Sequence, residues 1–487
     1  MATGYGRDEL LELVEYCDEW TPPAPEPEKS EREKLEPGTL EKYGRTDHDV
    51  ACLLRDQFGE DIRFVYPAKA WHIWDGRRWK KDDGAKIHEL FELLTREALL
   101  QAAERSGDVH EALIKWVMYV KKQPYRKSAL ALAETSLKEL KIMADELDRD
   151  SMLLNVLNGT LDLRTGELRP HNRVDMITRC CPVEYHQSVQ SRDWNDFLST
   201  ALPDPTVRSY VQKAAGYALT GDVSEEKLFF AYGPPATGKS TFLSAVQAVL
   251  GDYGCVVEFT SFLTSRLHEG GARSDIAGLA GQRFVCSIEV ENGAHLAEGL
   301  LSLLTGGDRV RARFLYHESE EFLPTFKIFL AANNRPEVSS GESALWRRLK
   351  LIPFNQVIAK PDPKVKKILS DPGKSGPAIL AWLVEGCLAW QQEGLKPEPD
   401  AVAALTEEYR YESDPIREFI EEKCVLTYEG ITGKQELYDC YREFCEKTHN
   451  KFPLSQKIFN KRLFARGMRE KRISGVGTRS WTGIKTR

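Results

Sequence analysis

Leu228-Phe229-Phe230-Ala231-Tyr232, Gly233-Pro234-Pro235-Ala236-Thr237-Gly238-Lys239-Ser240 and Thr241-Phe242-Leu243-Ser244-Ala245-Val246-Gln247-Ala248-Val249-Leu250 follow one another without a break. The first run is continuously apolar and reads as a buried strand. The second is a complete G-x-x-x-x-G-K-[ST] loop. The third has helical apolar spacing and stops at Gly251. Strand, glycine loop and helix together make a phosphate cradle. Backbone N–H groups turn inward on the oxygens, and the helix N-terminus adds a favourable dipole. On this reading Gly233, Pro234, Pro235, Ala236, Thr237, Gly238, Lys239, Ser240 and Thr241 bind ATP. Lys239 reaches the β- and γ-phosphates, and Ser240 holds Mg²⁺. The expected fold class is α/β, built around this P-loop.

A phosphate loop needs acids for its metal and its water. Arg283 to Ile288 reads as a second buried strand, with Glu289 and Glu291 at its carboxyl end. An α/β sheet presents groups to its ligand at that edge. Glu289 is expected in the Mg²⁺ shell and Glu291 as the base that orients the attacking water; the two roles could be exchanged. A third strand, Phe326 to Ala332, runs into Asn333, whose amide is suited to holding that water. Arg347 and Arg348 are candidates for an arginine finger offered across a subunit interface. A salt-bridged surface pair is the other reading of the same two residues.

The bulk composition narrows the classes. A chain of 487 residues predicts two to four domains. No apolar run approaches 18 residues, so no membrane span is expected, and the N-terminus lacks a signal-peptide pattern. Ten scattered cysteines without a C-x-x-C suggest reduced thiols and a cytoplasmic location. The net charge of −7 confines any nucleic-acid contact to local basic stretches. One such stretch runs from Lys447 to Arg487, where twelve Lys/Arg face a single acid, Glu470.

Residues 1–45 are Pro/Glu-rich and expected to be flexible. Residues 46–192 read as an α+β domain, with a hairpin at Asp75-Gly76 and mainly helix over 85–150. The ATPase core is expected over 193–355, a helical connector over 356–412, and a last unit over 413–487. That unit reads as three helices followed by a basic hairpin, which resembles a winged helix. Lys457, Lys461 and Arg462 would lie on its groove-reading helix, and Lys471 and Arg472 on its wing. A solvated basic surface on a packing domain is the alternative.

The P-loop, Ser287-Ile288-Glu289-Val290-Glu291, Leu304-Thr305-Gly306-Gly307-Asp308, Ala312-Arg313-Phe314-Leu315-Tyr316, Ala331-Ala332-Asn333-Asn334-Arg335-Pro336 and Leu345-Trp346-Arg347-Arg348 occur in that order within about 120 residues. This arrangement resembles the superfamily 3 helicase core of phage, plasmid and poxvirus primase-helicases. The resemblance implies an AAA+-type ATPase that forms a ring, a hexamer, with ATP at subunit interfaces and single-stranded DNA in the central pore. In that family a hairpin before the sensor strand touches the DNA. Here alternation puts Arg309, Arg311 and Arg313 on one face of the matching segment, with Tyr316 and His317 near its tip. Many relatives carry a primase domain upstream. The roughly 45 residues before the Trp-rich region are too few for one, so a separate primase or polymerase partner is expected. The leading reading is a replicative DNA helicase of a mobile element, acting on single-stranded and forked DNA in a host cytoplasm. A nucleotide-gated initiator or defence ATPase without processive unwinding is the runner-up. A protein-remodelling AAA+ machine is a third reading, against which the basic tail argues.

Overall fold

The computed structural model describes residues 42–44, 46–66, 68–84, 86–264, 273–288, 295–315, 319–338, 344–359, 362–414, 416–448, 453–472 and 479–487. The expected flexible segment before residue 42 lies outside these. The chain divides into two compact units, one comprising residues up to 189 with 249–253 and 376–384, the other comprising 190–248, 254–375 and 385–487.

In the first unit, helix α1 (Asp47–Phe58) starts with a capping box. The Thr46 hydroxyl accepts from Asp49 N at 3.2 Å while the Asp49 carboxylate accepts from Thr46 N at 3.1 Å. Strands β1 (Ile62–Tyr66), β2 (Ala70–Trp74) and β3 (Trp79–Lys81) follow. Trp74 pairs with Trp79 across the expected Asp75-Gly76 turn, where Gly76 has φ 95°. Helices α2 (Lys86–Ala103), α3 (Asp108–Val120) and α4 (Gln123–Ser136) bury Phe91, Leu94, Trp116 and Ala133 in one core with Leu53, Leu54 and Phe64. The stretch read as mainly helical ends instead in a short strand, β4 (Lys141–Met143), which pairs in parallel with the free edge of β1. A separate antiparallel meander joins β5 (Leu153–Val156), β6 (Gly159–Asp162) and β7 (Glu167–Arg169).

The second unit opens with α5 (Arg192–Ala201), capped by Ser191, and α6 (Pro205–Tyr217), capped by Asp204 with Pro205 at its first turn. Five strands then form one parallel sheet: β8 (Leu228–Tyr232), β9 (Gly254–Val256), β10 (Phe284–Ile288), β13 (Lys327–Ala332) and β14 (Leu349–Pro353). Their order is β14-β8-β13-β10-β9. All six residues of β13 are buried, as expected for a parallel strand covered on both faces. Helix α7 (Lys239–Leu250) follows β8, and α8 (Glu298–Thr305) precedes an antiparallel hairpin of β11 (Val310–Ala312) and β12 (Glu320–Phe322). Beyond the sheet come α9 (Pro363–Leu369), α10 (Gly376–Glu393) and α11 (Asp400–Glu412).

The tail contains α12 (Arg417–Lys423), β15 (Cys424–Gly433), α13 (Lys434–Lys447), α14 (Gln456–Ala465), β16 (Arg469–Arg472) and β17 (Arg479–Thr486). Its antiparallel sheet has the order β15-β17-β16, and Phe419, Tyr441, Phe459 and Trp481 fill its core. Strand β15 is not expected from the sequence. Its pairing breaks between Leu426 and Ile431, and Tyr428 is fully exposed, so the strand lacks the alternation that would reveal it. Among the described residues no helix is long and apolar enough to cross a membrane, and the nine cysteines are free thiols.

Candidate nucleotide site

The two glycines that open and close the loop motif are demanded by close approach. A Cβ on Gly233 (φ 153°) would come within 2.0 Å of Phe354 O, and one on Gly238 (φ 92°) within 2.9 Å of Phe197 Cε2. The segment leaving β14 and the helix α5 therefore press directly on the loop. Ile358 N donates to Ala236 O at 3.0 Å, and Phe354 N donates to Tyr232 O at 2.8 Å. The α5 face that does this is regular: Trp194, Phe197, Leu198 and Ala201 are all buried, and Trp194 stacks on Phe242 of α7 at 5.9 Å.

Lys239 donates to Gly233 O and Pro234 O, both at 2.7 Å, and to Thr237 Oγ1 at 3.2 Å. It is 7% exposed, and burial holds its ammonium below the ordinary lysine range. A desolvated cation of this kind gains most from an anion brought into the same space.

That space is a cavity of about 490 Å³ lined by residues 235–241 of the loop and first helical turn. Asn333, which directly follows β13, lines it too, and so does Ile288, the last residue of β10. Three strand ends thus meet at one edge of the sheet. Ser240, whose hydroxyl is a hard oxygen donor of the kind Mg²⁺ takes, lines this cavity, so the residues present fit the cation. Glu289 and Glu291 lie outside the described residues. The far wall is not legible from the sequence. Asp193, Asp196, Phe197 and Thr200 come from α5, and Asp362 and Lys366 come from the start of α9. The helix caps at Ser191 and at Asp362, the latter followed by Pro363, are local signals, and they say nothing about a ligand.

Arg347 and Arg348 sit at the opposite edge. Strands β8 and β14 run parallel in register from Leu228 beside Leu349 to Tyr232 beside Pro353. The P-loop leaves after Tyr232, whereas the arginines precede Leu349. At about 3.3 Å per residue, the length of the strand puts them roughly 16 Å away. The two also differ from each other. The Arg348 side chain is 7% exposed and lies 3.0 Å from Glu226, which corrects its candidacy as a free finger. Arg347 is 68% exposed and only 3.9 Å from the same carboxylate at its nearest.

The DNA candidates divide as well. Arg309, Arg311 and Arg313 are exposed while Val310 and Ala312 between them are buried, so the alternation holds. Tyr316 and His317 lie outside the described residues. Phe314 and Leu315 are exposed beyond Arg313, and the sequence reading does not single them out. Lys457 and Lys461 are exposed one turn apart on α14. Arg462 is corrected: it is 6% exposed, because with Phe459 and Leu463 it falls on the helix face that fills the tail core. Lys471 and Arg472 are exposed on β16.

A glycine loop between a buried strand and a helix, at the carboxyl edge of a parallel sheet, is the arrangement in which a P-loop motif can cradle phosphate. The sequence matches the family described as "D5 N terminal like" over residues 51–203 and "Poxvirus D5 protein-like" over 411–471. It is similar to a protein of Acanthamoeba polyphaga mimivirus provisionally named helicase L207/L206, at 26% identity, covering 88% of this chain and 49% of that protein. A provisionally named helicase of Invertebrate iridescent virus 3, 121R, is 27% identical over 43% of this chain and 23% of its own length. The chain thus spans about half the length of the first relative and less of the second. Among solved structures, the ligand-free C-terminal region of NrS-1 aligns with 90% of this chain and 100% of its own, at 10% identity and a TM-score of 0.49.

Proposed function

We propose that this chain is the motor of a viral replicative DNA helicase, an AAA+ ATPase whose active site is completed by a neighbouring copy. The observation that carries the reading is the division of the phosphate machinery between two edges of one sheet. Lys239, Ser240 and Asn333 line the cavity, whereas Arg347 is exposed at the other end of the strands. An arginine so far from its own loop serves a triphosphate only by reaching the loop of the next copy, head to tail. Such an interface closes into a ring when the rotation closes.

In the site, Lys239 neutralises charge on the β- and γ-phosphates, and Asn333 holds the attacking water. Glu291 removes its proton, or Glu289 does if the two roles are exchanged. Ser240 and the other glutamate hold Mg²⁺, which when bound neutralises phosphate charge. Arg347 of the adjacent copy stabilises the charge that develops on the transferred phosphoryl group. The outward row Arg309, Arg311 and Arg313 tracks the phosphates of single-stranded DNA. The tail supplies a second contact. Its element order and three-stranded sheet accord with a winged helix, with Lys457 and Lys461 on the groove-reading helix and Lys471 and Arg472 at the wing. A hexamer, forked DNA as substrate and a separate primase or polymerase partner complete the reading.

The test mixes two inactive variants. Lys239→Ala and Arg347→Ala proteins, each without turnover alone, are expected to recover part of the ATPase when combined, because mixed interfaces pair an intact loop with an intact finger. No recovery would sink the shared site. Strand displacement on a forked duplex then separates a helicase from a nucleotide-gated initiator, which would hydrolyse ATP without displacing the strand.

A further inference from the structure

The first unit carries a basic, aromatic surface that none of the motifs explains. Between Glu111 and Glu134 the chain has five Lys/Arg and no Asp or Glu, in a protein of net charge −7. The centre of this stretch is the turn from α3 into α4. Lys121, Lys122, Tyr125 and Lys127 are all exposed there, beside Met118 at the end of α3. Among the described residues none of these three lysines has a carboxylate partner.

The turn is braced. The Tyr125 ring stacks on Tyr119 with centroids 4.0 Å apart and planes 21° from parallel. Tyr119 is tied to α1 by its hydroxyl, which donates to Asp47 Oδ1 at 2.6 Å. Arg126 donates to Val120 O at 2.8 Å and to Glu92 Oε1 of α2 at 2.6 Å, so its charge is spent on holding the turn. The Lys122 ammonium lies 6.0 Å from the Tyr125 ring centre. A braced ring with one face taken by Tyr119 and the Lys122 ammonium beside it, in a turn that also exposes unpaired Lys121 and Lys127, matches a polynucleotide with unstacked bases. Phosphates take the lysines, and a base packs on or beside the ring.

We infer that Lys121, Lys122, Tyr125 and Lys127 form a second single-stranded DNA contact, in the unit that precedes the ATPase core. It rests on the reading that this chain handles DNA, and adds a site separate from the hairpin and the tail. A duplex offers the same phosphates but hides its base faces, so the aromatic contribution belongs to single strands alone.

The test is fluorescence anisotropy of the full-length chain on labelled oligo(dT) across a salt series, with a duplex of equal length beside it. Replacing Lys121, Lys122 and Lys127 together by Ala is expected to weaken binding about tenfold and to flatten the log–log salt dependence by about 2, at roughly 0.7 for each phosphate no longer neutralised. Tyr125→Leu is expected to weaken oligo(dT) about fivefold, the low end for removing one stacked base, and to leave duplex binding and the salt slope unchanged. The three lysines are exposed and without carboxylate partners, so basal ATPase and the melting temperature serve as the folding control for the triple variant and are expected to stay at wild-type values; for Tyr125→Leu, which removes a ring stacked on Tyr119, basal ATPase and the unchanged duplex binding are the control. Wild-type affinity and slope in the triple variant would overturn the contact while leaving the helicase reading intact. A Tyr125→Leu effect of equal size on duplex would overturn single-strand preference. No binding of oligo(dT) by the wild-type chain would overturn both the contact and the helicase reading. An intact platform effect without strand displacement would sink the helicase alone.

Discussion

The two edges of the five-stranded sheet both carry cations and use them in opposite ways. At the carboxyl edge, Lys239 and Asn333 face a cavity. At the amino edge, Lys227, Arg283, Lys327 and Arg348 stand at the starts of β8, β10, β13 and β14, and all are turned onto the protein itself. Lys227 donates to Arg347 O at 3.1 Å and Arg283 to Leu219 O at 2.7 Å. Lys327 donates to Thr220 O at 2.5 Å and Asp222 O at 3.0 Å, and sits 4.4 Å from the centre of the Tyr217 ring. Burial holds its ammonium well below the ordinary lysine range. Three of the four clamp residues 219–226, the connection from α6 into β8; Lys227 grips the backbone beside it. A basic residue at a strand end is therefore a ligand group only where the packing leaves space in front of it. Where carbonyls surround it, it is a structural tie. Arg347 is the exception at this edge, because its side chain faces solvent.

The comparison breaks most visibly at the P-loop. Lys239→Ala should abolish phosphate release, by at least about a thousandfold, because no other described cation lines the loop from α7. Turnover near wild type would show that the carboxyl edge is not the reaction site. The next effect sharpens the contrast within the amino edge. Arg347→Ala should lower turnover by about a thousandfold with nucleotide affinity little changed, as expected of a finger. Arg348→Ala should instead lower thermal stability, by about 1 kcal/mol, because it removes a buried guanidinium paired with the half-exposed Glu226. The reverse pattern, measured by phosphate release and thermal unfolding, would exchange their roles. The smallest effect is expected in the tail. Lys457→Ala with Lys461→Ala should weaken duplex DNA binding and flatten its salt slope by about 2, at roughly 0.9 per phosphate contact. An unchanged slope would make α14 a packing helix with a solvated face.

Much of the core is legible in the amino-acid sequence itself, because its signals are local. Apolar strands ending in Gly233, Glu289 and Asn333 stand out against their neighbours along the chain. Sequence reasoning fails where local signals are weak or shared. Strand β15 hides behind a bulge and exposed apolar residues. Charge groups Arg462 with Lys457 and Lys461, although its spacing from Phe459 and Leu463 assigns it to the buried face. The hairpin tip and the two glutamates rest on sequence alone, since they lie outside the described residues.

The chain alone determined the phosphate loop, its flanking strand and helix, and the order of the core strands' end residues. Those depend on spacing over a few residues, which sequence records directly. Only the tertiary structure decided that α5 and the start of α9 wall the cavity, and that Arg347 rather than Arg348 faces outward. It alone brought the Tyr119 and Tyr125 rings together beside unpaired lysines. Those outcomes depend on which distant segments pack against each residue, and burial and partner geometry exist only once the chain has folded.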